Sequence, residues 1–103
     1  MSMLLAMTLP NSNGIPRVAL DWPRGPESDV ARYRIYRSTQ SNFLAALSNL
    51  LAEVEDDGHP SQQHIDDPGL SGNTTYHYKV APVDQAGLEQ PASPQTTVTT
   101  LTH

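Results

Sequence analysis

The chain of 103 residues contains no cysteine, which excludes disulfides and thiolate metal sites and leaves the redox compartment open. Cations are scarce: Lys and Arg together number 6 against 11 Asp and Glu, a formal charge of −5. Nucleic-acid binding rests on clustered Lys and Arg that neutralise phosphates, so no nucleic-acid partner is expected. No apolar run approaches the roughly 18 residues of a membrane span, and no membrane partner is expected either. The opening Met1-Ser-Met-Leu-Leu-Ala-Met-Thr-Leu9 is apolar but lacks the basic start of a signal peptide, the first cation being Arg17. We read it as a first strand, with any export signal carried on a longer parent chain. Also missing are a Gly-Xaa-Ser-Xaa-Gly elbow, a phosphate-cradling glycine loop and a Glu-Xaa-Xaa-His pair. A domain of this size with its core filled leaves little room for a cleft, so the chain reads as non-enzymatic and without a cofactor.

What is present is alternation and turns. With 9 prolines and 6 glycines the chain is broken often. In Arg17-Val-Ala-Leu-Asp-Trp22, Val18, Leu20 and Trp22 share one face. In Arg32-Tyr-Arg-Ile-Tyr-Arg37, Tyr33 and Ile35 form the apolar side, with Arg34 and Tyr36 opposite. Tyr76, Tyr78 and Val80 alternate with His77, Lys79 and Ala81, and the β-branched Gln95-to-Leu101 tail reads as a closing strand. Only Ser41-to-Leu51 departs from this period. Phe43, Leu44, Leu47, Leu50 and Leu51 recur at helical spacing, which predicts a helical turn near 42–50 acting as a plug over the core edge, followed by a strand Leu51–Glu55.

Leu70-Ser-Gly-Asn-Thr-Thr-Tyr76 places a leucine and a turn before a tyrosine that opens a strand. That is the pattern of a tyrosine corner, in which the phenol bonds to nearby backbone where the chain crosses between two sheets. Burial of Trp22, Tyr33, Ile35, Ile65, Tyr76, Val80 and Val98 is expected to form the core, with Leu70 supporting the corner.

In order along the chain, Trp22, Tyr33-x-Ile35-Tyr-Arg-Ser38, Leu51-Ala-Glu-Val54, Ile65-Asp-Asp-Pro-Gly-Leu70, the corner, and Tyr78-Lys-Val80 leading to Val83-Asp-Gln-Ala-Gly87 resemble the fibronectin type III family. The resemblance covers roughly residues 15–102. It implies an all-β, seven-stranded immunoglobulin-like antiparallel sandwich, with residues 1–14 as N-terminal segment and first strand and 15–103 as the fibronectin-like domain. Its particular flavour is similar to modules between the catalytic domains of secreted bacterial polysaccharide-degrading enzymes. It therefore implies an extracellular or cell-surface, monomeric accessory module, a spacer or a weak carbohydrate- or protein-binding surface. Its partners would be neighbouring domains of a longer parent chain. The alternative is a cell-surface or virion adhesion module that binds a protein. The loop Gln85-Ala-Gly-Leu88 carries no integrin-type Arg-Gly-Asp, and Pro82 departs from the family pattern and predicts a bulge or an end of pairing there.

The candidate binding face is the outward side of the central sheet: Arg34, Tyr36, His77 and Lys79. An exposed tyrosine among cations can stack a sugar ring or meet a protein. Tyr36 would be the centre of any polysaccharide contact. Other clusters read as structural. Glu53-Val-Glu-Asp-Asp-Gly58 lacks the first Asp and the twelfth-position Glu of a calcium loop, and reads as a solvated acidic hairpin. His59 and His64, with Asp66 and Asp67 after them, match no zinc spacing. Asp67 is expected to accept backbone bonds in the Pro68-Gly69 turn. Asn73-Thr-Thr75 matches an N-glycosylation sequon, idle in a bacterial source.

Overall fold

The computed structural model describes residues 4–12, 15–24, 30–66 and 70–101. Seven strands follow one another as β1 (Leu5–Ser12), β2 (Ile15–Pro23), β3 (Val30–Ser38), β4 (Leu50–Glu55), β5 (Ser61–Asp66), β6 (Thr75–Asp84) and β7 (Thr96–Thr99). They form two antiparallel sheets, β1-β2-β5 and β4-β3-β6-β7. The chain changes sheet after β2, after β4 and after β5, which gives an immunoglobulin-like sandwich.

The period-two pattern explains which side chains meet between the sheets. Val18, Leu20 and Trp22 of β2 face Tyr33 and Ile35 of β3 and Tyr76, Tyr78 and Val80 of β6, all buried. Each large apolar side chain so buried contributes roughly 1.5–3 kcal/mol. Trp22 meets Tyr33 edge to face at 5.5 Å and 66°. Its indole N–H finds no hydrogen-bond partner among the described residues, an unsatisfied donor that offsets about 1–3 kcal/mol of this gain.

At the corner, the Ser71 N–H donates to the Tyr76 hydroxyl at 2.8 Å, and Leu70 packs on the core. The turn is completed by Asn73 at φ 51°, a left-handed conformation that asparagine tolerates better than most residues. The later turn has an equally local cause. Asp84 Oδ1 accepts the N–H groups of Ala86 and Leu88, and Gly87 supplies φ 87°.

Three expectations need correction. The helical turn expected near 42–50 is present as a 3-10 turn at Leu47–Asn49, but it does not act as the expected plug. Phe43 is buried and Leu50 and Leu51 pack half-buried against the two cores, whereas Leu44 and Leu47 are 79% and 76% exposed and plug nothing. Ile65 lies on the outside, 46% exposed, because it pairs with outward-facing Ala19. The inward positions of β5 are instead Gln62, His64 and Asp66, all polar, with Gln62 and Asp66 buried and His64 half-buried. Finally, Pro82 pairs in register with Tyr33, and the bulge falls one step further on, between Val30 and Arg32. On its other side the β7 pairing has already ended at Tyr78, and Pro82 only accepts the Gln90 N–H at 2.7 Å. The missing N–H of Pro82 therefore points where no ladder partner waits. The Pro68-Gly69 turn and Asp67 lie outside the described residues.

Candidate functional site

Strand parity does bring Arg34, Tyr36, His77 and Lys79 to the outer side of the four-stranded sheet, where Tyr36 pairs with Lys79 across β3 and β6. Outward is not exposed, however. Tyr36 is only 2% accessible and His77 8%, which corrects the expectation of an open aromatic platform. The cause is a cover made from two connections. Phe43 and Ala45 from the β3–β4 loop and Ala92 from the β6–β7 connection pack with Tyr36, Ala81 and Leu50 into a second small core. The β6–β7 connection is fastened by the Ser93 N–H on Val80 O at 2.8 Å and by the Val80 N–H on Ser93 Oγ at 3.0 Å.

The polar groups of this face are engaged within the fold. Arg34 bridges Glu53 at 3.1 Å and Glu89 at 3.2 Å, and those two bonds, Glu53 foremost, hold its guanidinium pKa above its ordinary value. The Tyr36 hydroxyl donates to Glu89, and its pKa is pushed up to about 12, first by burial and then by that bond. Lys79 Nζ donates to Phe43 O at 2.6 Å and sits 5.1 Å from the Phe43 ring centre. His77 Nδ1 shares a 2.8 Å hydrogen bond with Thr97 Oγ1. The four side chains thus organise a loop-covered face and present neither a free ring nor a cleft.

Two acid–tyrosine–arginine clusters were missed in the sequence. At one end of the sandwich Asp56 accepts from Arg24 Nε at 3.0 Å and from the Tyr33 hydroxyl at 3.1 Å. At the other, fully buried Asp66 accepts from the Tyr78 hydroxyl at 2.7 Å and from Arg37 at 3.0 Å. Burial, more than the adjacent carboxylate, raises the pKa of both phenols, so they remain neutral donors. The signal available was parity: Arg37 shares the inward side with Tyr33 and Ile35, and a buried phenol needs an acceptor. The acidic hairpin is solvated as expected except at Asp56. Asp56 is paired and mostly withdrawn from solvent; Glu53, though paired with Arg34, stays at the surface with Glu55 and Asp57, the pKa of Asp57 lowered by the His59 N–H and then by Gln62. His59 lies 3.1 Å from Asp57, and among the described residues no three His, Asp or Glu side chains could together hold a metal ion.

The open apolar surface lies elsewhere, on the outer side of β1-β2-β5. Leu5, Met7, Ala19, Leu20, Asp21 and Ile65 line a shallow cavity of about 400 Å³.

No protein-family model matches this chain, and no curated protein matches it. Among solved structures it is similar to a pectate lyase from Erwinia chrysanthemi, crystallised in complex with tetragalacturonic acid. The likeness has a TM-score of 0.57 at 20% identity and covers 94% of this chain. The chain spans only 28% of the length of that lyase. At this identity the likeness shows the fold, a small β-sandwich that also occurs as part of a larger polysaccharide-degrading enzyme. Among the described residues no helix is long and apolar enough to cross a membrane.

Proposed function

We propose that the chain is a non-catalytic accessory module of the fibronectin type III kind, with β1 and residues 15–103 acting as one unit within a longer secreted chain that acts on polysaccharide. Its role in this reading is that of a spacer between neighbouring domains. The likeness to part of a pectate lyase supports the polysaccharide context. The observation that carries the spacer role is the burial of every aromatic ring in the chain: Trp22, Tyr33, Tyr36, Phe43, Tyr76 and Tyr78. Sugar recognition on an open sheet depends on stacking against an exposed ring, and this surface offers none. A net charge of −5 further disfavours an acidic polysaccharide.

NMR titration of the isolated chain with a panel of neutral and acidic polysaccharides tests the reading. Resonances are expected to stay in place at millimolar sugar. Saturable shifts clustered on Arg34, Tyr36 and Lys79 would reinstate a binding face there and overturn the spacer role. The second reading, an adhesion module that binds a protein, draws on the exposed Leu44, Leu47, Leu5 and Met7.

A further inference from the structure

Two exposed apolar features sit on opposite outer sides of the sandwich. One is a knuckle, Leu44 and Leu47, raised on the β3–β4 loop. It is held from below by buried Phe43 and closed on itself by Asn49, whose Nδ2 donates to Leu44 O at 2.9 Å and whose N–H donates to Ala46 O at 2.8 Å. The other is the shallow groove on β1-β2-β5, where Leu5 is 56% and Met7 65% exposed around Ala19 and Ile65. Nothing within the described chain covers either. Each also carries a charge of the opposite sign. Lys79, its ammonium on the carbonyl next to Leu44, makes no ion pair among the described residues. Asp21, on the groove wall, has neither hydrogen bond nor ion pair there.

We propose that copies of this chain associate front to back, with the Leu44–Leu47 knuckle of one molecule seated in the Leu5–Met7–Ile65 groove of the next and Lys79 facing Asp21 across the contact. The occupant is a second copy because knuckle and groove match in apolar character and in charge, and both belong to one chain. A contact between two different surfaces is heterologous, so it propagates beyond a dimer unless rotation closes a ring. It is also small. Below about 1,200 Å² of total buried area, association is weak, and a net charge of −5 on each copy adds repulsion, so self-association is expected at about 0.1–1 mM. The inference is independent of the spacer reading.

Sedimentation velocity up to about 1 mM reads the mass directly. Association is expected to continue past the dimer. Leu47→Asp and Met7→Glu should each weaken it at least about tenfold, equivalent to 1.4 kcal/mol. Mixing these two variants decides the geometry, since each retains the surface that the other has lost. A 1:1 heterodimer that grows no further is expected. Asp21→Lys and Lys79→Glu should each weaken association, and the double variant should restore it. A wild-type chain that stays monomeric at 1 mM would overturn the proposal. So would a plateau at the dimer, or variants that ignore each other when mixed. Circular dichroism of each variant separates loss of contact from loss of fold.

Discussion

Asp66 is the side chain on which one end of the sandwich depends. Its carboxylate is fully buried and takes hydrogen bonds from the Tyr78 hydroxyl and the Arg37 guanidinium, which in turn lies 5.4 Å from the Tyr76 ring centre. Replacing it by asparagine preserves volume but removes the charged acceptor to which both the Tyr78 hydroxyl and the Arg37 guanidinium donate. Breaking a buried ion pair costs about 3–5 kcal/mol, and Arg37 keeps about a fifth of its side chain accessible, so the low end applies. Asp66→Asn is therefore expected to cost about 3 kcal/mol, and Tyr78→Phe, which removes one hydrogen bond to a charged acceptor, about 1.5–3 kcal/mol. Denaturant midpoints at pH 7 measure both. An unmoved midpoint for Asp66→Asn would mean that the charge is solvated in solution.

Within single strands, β5 shows where sequence reading works and where it stops. Alternation in β2, β3 and β6 correctly sends Trp22, Tyr33, Ile35 and Tyr76 inward, because those strands are apolar on one side. Strand β5 contains one apolar residue, Ile65, and reading it as the anchor inverts the strand. Its inward Gln62 and Asp66 are satisfied by Asp57, His59, Arg37 and Tyr78, partners that no local pattern announces. The prediction follows from the pairing of Ile65 with outward-facing Ala19. Ile65→Thr should change stability by no more than about 0.5 kcal/mol, whereas Ile35→Ala should cost about 2–5 kcal/mol. Urea titration of the two variants compares them directly, and equal losses would return Ile65 to the core. The candidate face failed for a related reason. Parity placed Arg34, Tyr36, His77 and Lys79 on the outer side correctly, but the cover comes from 43–45 and 89–93, segments without strand periodicity.

The two cores and both acid–tyrosine clusters are tied together by neutral phenols, and this gives the fold a definite alkaline limit. Tyr33, Tyr36 and Tyr78 each donate to a carboxylate and each has a pKa raised by burial, to about 12 for Tyr36 and further for the other two. In the unfolded chain a tyrosine ionises near 10. Below that pH both states keep the phenol proton and the stabilisation is fully present. As pH rises past about 10 the unfolded chain loses its protons first, so the unfolded state is favoured progressively more. For Tyr36 the decline ends once the folded phenol also ionises at about 12, while Tyr33 and Tyr78 continue it beyond. The denaturant midpoint is therefore expected to hold level from pH 7 to 9 and to fall steadily above about 10. Tyr36→Phe should make that fall shallower and leave its onset in place, because two raised phenols remain. Ultraviolet titration of the folded chain supplies the independent check. Four tyrosines ionising together near pH 10 would contradict the buried hydrogen bonds from which the alkaline limit follows.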